Sequence, residues 1–187
     1  TQFTKLMSLR KKTEDEWNPY FINWGVLEIA EGIMRSLLTI SNSSYCGINE
    51  ETLKRIDFSP LNDYSADIPV KFDELFDYIK SQNRKFQVHI SNLKGDFVNL
   101  PFDFIRTLIT CICDRIPELS NTVFDVYIDE YENTLDYQSR IINTWIKHSE
   151  LPLIFNVAMK RNAMSQTDTV GNEGIVDVND YRNVSLV

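Results

Sequence analysis

The run Val123-Phe-Asp-Val-Tyr-Ile-Asp-Glu130 decides how this chain reads, because apolar, β-branched and aromatic residues carry it to two adjacent acids. Such a run predicts a strand crossing the middle of a buried sheet, with both faces covered. The acids then arrive at the carboxyl edge, where open α/β sheets bind ligands. Downstream, Glu132 to Lys147 is helix-like, and Leu153-Ile-Phe-Asn-Val-Ala-Met159 is a second apolar strand followed by Lys160-Arg161-Asn162. A helix between two strands returns the chain across the sheet, so the strands are expected to run parallel.

This order, with the wording Ile128-Asp-Glu-Tyr-Glu-Asn133, Tyr137-Gln138 and Met159-Lys-Arg-Asn162, resembles AAA+ ATPases, and among them the origin-recognition-complex-like ATPases found in bacteria. The specific part of the resemblance runs from Phe102 to Val187. It implies an α/β fold: a three-layer P-loop NTPase-like core, with a mostly parallel sheet flanked by helices, truncated at both ends. It also implies ATP and Mg²⁺ as cofactors. Asp129 would help hold the Mg²⁺, and Glu130 would polarise the attacking water. Asn162 would be the polar sensor near the γ-phosphate, with Arg161 or Lys160 as a cation at the site or at a subunit boundary. Many members of that group sit in mobile-element and phage-defence loci, so antiviral defence is the implied setting. The implied partners are further copies of the chain or a partner protein.

A P-loop enzyme also needs a Gly-x-x-x-x-Gly-Lys-Ser/Thr loop, whose N–H groups and lysine hold the phosphates and whose hydroxyl binds Mg²⁺. None occurs between Thr1 and Val187, and Gly171-Asn-Glu-Gly174 is followed by no lysine. Either the loop lies upstream in a longer protein or nucleotide chemistry has been lost. The first is preferred, because an ATPase core here would be cut just after its first strand and helix. Residues 1–187 are accordingly expected to be a partial AAA+-like ATPase domain that lacks the phosphate-binding loop and the helical lid. Alone they are predicted not to hydrolyse ATP measurably.

Three functions compete. The leading one is a nucleotide-binding core that uses ATP binding and hydrolysis as a conformational switch. The second is a nucleotide-free α/β scaffold or interaction module. The third is a Mg²⁺ phosphodiesterase using Asp125, Asp129 and Glu130. It is weakened because residues four apart on a strand share a face but stand about 13 Å apart, too far for Asp125 and Asp129 to share a metal. A plainer reading makes both acids helix-N-terminal capping groups.

Composition bounds the rest. A chain of 187 residues, 43% hydrophobic and 25% charged, is long enough for one globular domain with its own core. A formal charge of −8 argues against a whole-domain electrostatic hold on nucleic acid. Two basic clusters, Lys5 with Arg10, Lys11 and Lys12, and Lys80 with Arg84 and Lys85, read as solvated faces. Cys46, Cys111 and Cys113 lack metal-like spacing and read as buried thiols in a reducing cytoplasm. No run of eighteen apolar residues and no signal peptide appears, so the expected location is cytoplasmic, with no membrane partner.

Upstream, Thr13-Glu-Asp-Glu16 reads as a polar connection and Trp17-Asn-Pro19 as a helix break. From Phe21, an amphipathic helix carries Ile22, Val26, Ile29, Ile33 and Leu37. Asn49 is a predicted cap for a short helix from Glu50 to Ile56. Phe72, Leu75, Phe76 and Ile79 mark a helix ending near Gln82-Asn83, and the alternation Phe86-Gln-Val-His-Ile90 predicts a strand with His89 on its polar phase. Phe104 to Ile116 carries the buried stripe of another helix, closed by Pro117. Gln138 and Asn143 are expected on the surface, His148 at a helix carboxyl end, and Tyr181-Arg-Asn-Val-Ser-Leu-Val187 as one more strand.

Overall fold

The computed structural model describes residues 13–43, 47–92, 96–160, 167–171 and 173–176. Expectations for Lys5, Arg10, Lys11, Lys12, Cys46, Arg161, Asn162 and the 181–187 stretch fall outside them. The chain divides into two compact units, one of Pro19–Thr122 and one that joins Thr1–Asn18 to Val123–Val187.

The first helix, α1, spans Glu14–Ser41 and runs straight through Pro19, which corrects the expected break. Its start is set by Thr13, whose N–H and hydroxyl both donate to the Glu16 carboxylate, at 2.8 and 3.2 Å. This is half of a Thr-x-x-Glu capping box, and Glu14, Asp15 and Glu16 all lie in the first turn, where the helix dipole favours acids. A proline so near the N-terminus forfeits a single helical bond, which these groups offset.

In the 19–122 unit, α2 (Glu50–Lys54) begins as expected, with Asn49 accepting from the Thr52 N–H at 3.0 Å. The helix α3 spans Phe72–Asn92 without interruption, so Phe86 to Ile90 is helix and not strand. Its buried stripe, Phe72, Leu75, Ile79, Gln82, Phe86 and Ile90, advances by three or four residues throughout. Val88, which an alternating strand would bury with Phe86 and Ile90, is 54% exposed. Helix α4 spans Asp103–Arg115, and Pro117 opens a 3-10 turn just after it. Buried Asn23 and Gln82 accept from the Leu100 and Val98 N–H groups, at 2.8 and 3.4 Å, and so satisfy the loop that leads into α4.

The other unit contains β1 (Phe124–Ile128), α5 (Asp136–Lys147) and β2 (Leu153–Val157). The strands pair in parallel, in a register that runs from Phe124 opposite Leu153 to Ile128 opposite Val157. The chain is thus mixed helix and strand, with a small parallel sheet of two strands among the described residues. Trp145 of α5 packs on Phe155 of β2, with ring centroids 5.7 Å apart.

Full burial of the 123–130 run is corrected. Along β1, half-buried Phe124, Val126 and Ile128 alternate with exposed Asp125 and Tyr127, the latter 76% exposed. Across the same outer face the Asn156 amide donates to the Asp125 carboxylate at 2.8 Å. The period-two pattern of a strand solvated on one face is therefore present in the run, with Asp125 as its polar mark.

After β2, residues 167–171 and 173–175 pair with each other as the two arms of a hairpin, bridged antiparallel between Asp168 and Gly174. Thr169 N–H donates to Glu173 O at 2.8 Å, and Ile175 N–H to Thr167 O at 2.9 Å. The hairpin docks on α5 through the Val170 N–H, which donates to the Thr144 hydroxyl at 3.0 Å, and through a 2.9 Å Lys147–Glu173 ion pair. Among the described residues no helix is long and apolar enough to cross a membrane.

Candidate functional site

Asp129 and Glu130 emerge at the carboxyl end of β1, and both are exposed. The parallel ladder continues one step past the strands: Ala158 N–H donates to Ile128 O at 2.8 Å and Tyr131 N–H to Ala158 O at 3.2 Å. Between these two bonds the backbone turns sharply. Glu130 takes φ 53° and ψ 41°, the left-handed region that side chains other than glycine rarely occupy. Its own N–H donates to the Asp129 carboxylate at 2.8 Å. Asn133 holds it from beyond the turn, donating from its backbone to Glu130 O at 2.9 Å and from its side chain to Oε2 at 3.1 Å.

Neither acid is a cap for α5, which begins at Asp136. Glu130 precedes the 3-10 turn Tyr131–Asn133 but makes no side-chain capping bond to it. Both carboxylates are therefore presented to solvent at the strand tip. A Mg²⁺ ion takes one or two carboxylates and completes its shell with water and phosphate oxygens. Asp129, an exposed residue with one carboxylate oxygen on the Glu130 amide, suits that demand. No three His, Cys, Asp or Glu side chains converge among the described residues, so phosphate and water would have to supply the remaining ligands.

The turn is anchored by a residue that the sequence reading passed over. Tyr131 is buried, and its hydroxyl donates to Asn143 Oδ1 at 2.6 Å. Its carbonyl accepts from the Thr134 hydroxyl at 2.7 Å, and that hydroxyl lies 2.6 Å from the hydroxyl of Ser139. Burial pushes the Tyr131 phenol above its ordinary pKa, against the opposing effect of the Ser139 and Asn143 hydrogen bonds. Asn143 is fully buried and donates onward to Asp168 O at 3.0 Å. Gln138 is buried too, accepting from Leu135 N–H at 3.0 Å and donating to the Tyr137 hydroxyl at 2.9 Å. Burial pushes that phenol up to about 12.

The surface placement of Gln138 and Asn143 is thus corrected. Helix α5 is covered on more than one side, so polar residues off its apolar stripe are enclosed and must find partners. The polar residues of the Thr167–Val170 segment that meet it could not be placed from periodicity.

Glu132 and Lys160 connect the two strand tips at 3.4 Å, with Glu132 15% and Lys160 82% exposed. Glu132's own N–H holds its carboxyl below the usual carboxylate range, and Lys160 adds to the effect against the cost of desolvation. Lys160 is therefore engaged at the tip of β2, while Arg161 and Asn162 lie outside the described residues. Asp125 is turned to the outer face with Asn156 and is no third member of the acidic pair.

The other titratable candidates have structural explanations. His89 lies in α3, its ring 4.6 Å from that of Phe97 and 6.0 Å from that of Tyr20. Cys111 is buried and free, and burial raises its thiol to about 11; Cys113 is half-buried, free and also raised. Thiols held protonated in this way are poor nucleophiles and poor metal ligands.

A family model described as ORC-CDC6-like matches residues 1–187. No curated protein matches the chain, and no solved structure does. The parallel pair of strands, the acids at their carboxyl edge and a match that spans every residue agree: the chain belongs to the ORC-CDC6-like family and so has an AAA+ relationship.

Proposed function

We propose that residues 1–187 are part of the nucleotide-binding core of an AAA+-like ATPase, in which ATP binding and hydrolysis act as a conformational switch. Asp129 helps hold Mg²⁺ and Glu130 orients and polarises the attacking water. Asn162, with Arg161 beside it, senses the γ-phosphate from the segment after β2. The phosphate-binding loop and the helical lid are not within these residues and are contributed from outside them. The family's AAA+ relationship supports ATP and Mg²⁺ as the ligands and an oligomer of the chain, or a partner protein, as the working form. Antiviral defence in a bacterial cytoplasm is the setting we propose for the switch.

The observation that carries this reading is the placement of two adjacent exposed carboxylates at the carboxyl edge of a parallel strand, by a left-handed turn at Glu130. Open α/β sheets bind ligands at that edge. A strained backbone held by its surroundings is also characteristic of functional sites. Hydrolysis needs a cation for the developing charge and a group to order water, and the two acids are of the right type for each task. Titration of the natural-length protein with ATP tests it. We expect binding that strengthens with Mg²⁺ in the wild type and loses most of that enhancement in Asp129→Asn. An affinity indifferent to Mg²⁺ in both would count against the assignment.

One observation favours the second reading, a scaffold without nucleotide. The outer face of β1, with Tyr127 76% exposed, offers a partner chain an amphipathic surface. Absence of any ATP binding by the natural-length protein, together with partner binding lost in Tyr127→Ala, would select it.

A further inference from the structure

The left-handed backbone at Glu130 has to be held by something, because a non-glycine residue there costs about 1–3 kcal/mol and persists only where its surroundings over-determine it. Asn133 and the Asp129 carboxylate bond Glu130 directly, and Tyr131, the next residue, ties the turn to the rest of the unit. Its N–H, hydroxyl and carbonyl are bonded to three different parts of the unit: Ala158 after β2, Asn143 on α5 and Thr134 after the 3-10 turn. The phenol and the Asn143 amide are both buried, and the hydrogen bond between them, at 2.6 Å, is short. Asn143 in turn spends its amide N–H on the Asp168 carbonyl, at the start of the 167–175 hairpin. One buried polar line therefore runs from the acid-bearing turn, across α5, to a hairpin held on that helix by Thr144 and Lys147. In a water-poor interior each hydrogen bond of such a line is costly to lose, which couples the placement of its members.

We propose that Tyr131 and Asn143 are positioning residues for the Asp129–Glu130 pair, and that they tie the geometry of that pair to the docking of the 167–175 hairpin. The proposal rests on the reading of the two acids as metal-holding and water-orienting groups. Under it, a partner or ligand that lifts the hairpin from α5 withdraws the Asp168 carbonyl from Asn143. Tyr131 loosens, Glu130 relaxes from the left-handed turn, and the carboxylates lose their alignment. The hairpin becomes the place where hydrolysis is regulated.

Two variants probe the line from opposite ends. Tyr131→Phe keeps the buried ring and deletes only the hydroxyl. Thr144→Val removes the acceptor for Val170 N–H, which holds the hairpin, and touches no atom of the turn. Amide hydrogen exchange on the natural-length protein is expected to speed up about tenfold at both 129–133 and 167–175 in Tyr131→Phe. Thr144→Val is expected to speed it at both segments as well. Exchange altered only at the mutated end in either variant would overturn the coupling.

In the natural-length protein, Tyr131→Phe is expected to lower kcat for ATP about tenfold with KM within about twofold, and to add nothing on a Glu130→Gln background. A loss that multiplies with that of Glu130→Gln would overturn the positioning role, since a merely structural defect is independent of Glu130. Should Glu130→Gln itself leave turnover intact, the reading of the acids fails, and the exchange results still decide the coupling.

Discussion

At the scale of single residues, Glu130 combines a carboxylate exposed at a strand tip with a backbone conformation that only glycine adopts without cost. The two features are separable by mutation. Glu130→Ala and Glu130→Gly both remove the carboxylate, but the glycine variant is expected to be the more stable by about 1 kcal/mol, since it alone escapes the left-handed penalty. Thermal or denaturant unfolding measures the difference, and an alanine variant equal to or more stable than glycine would be incompatible with the turn described. Cys111 shows the opposite case: burial raises its thiol to about 11, so alkylating reagents are expected to modify it only after unfolding. Labelling of the native protein at Cys111 would contradict that environment.

At the scale of elements, the central crossover was legible and the faces were not. An apolar run, a helix-length segment and a second apolar run placed β1, α5 and β2 in order and in parallel, because only a crossover joins parallel neighbours across so short a stretch. The exposure of Asp125 and Tyr127 was harder to read, since a run of aromatic and β-branched residues looks buried until one acid is taken as the outward phase. Alternation misled in the reverse direction at Phe86-Gln-Val-His-Ile90, where positions four apart, Phe86 and Ile90, continue the stripe of α3 and Val88 points to solvent. Phe86→Ala is therefore expected to cost about 3–5 kcal/mol in unfolding experiments, and Val88→Ala no more than about 0.5. Similar costs for both would restore the strand. Of the candidate site, the two acids were visible as a pair at the end of a run. Tyr131, Gln138 and Asn143 were not, because a buried polar residue is recognisable only once its partner is known, and Asp168 lies 25 residues beyond Asn143 in the chain.

At the scale of the whole molecule, the 19–122 unit is helical, while the other unit carries the parallel strands and the acids. A net charge of −8 disfavours broad contact with nucleic-acid phosphates. The buried phenols of the strand-bearing unit set an alkaline limit on stability. Tyr131 is raised above its ordinary value of 10.0 and Tyr137 is raised to about 12, so the folded state favours the protonated phenols. Their contribution is complete below pH 10, where an unfolded tyrosine is still neutral, and is lost as pH climbs through the folded values. Stability is expected to fall between about pH 10 and 12, more weakly in Tyr137→Phe, as followed by denaturant unfolding across that range. A flat profile would mean that the phenols are not enclosed as described.

We propose that the strand-tip carboxylates serve a Mg²⁺-triphosphate site, with Glu130 orienting water. The most direct test is steady-state ATP turnover by the natural-length protein beside its Glu130→Gln variant, with nucleotide affinity measured in parallel. Turnover is expected to fall roughly 10²- to 10⁴-fold in Glu130→Gln with ATP binding largely kept. Equal turnover by the two proteins would contradict it.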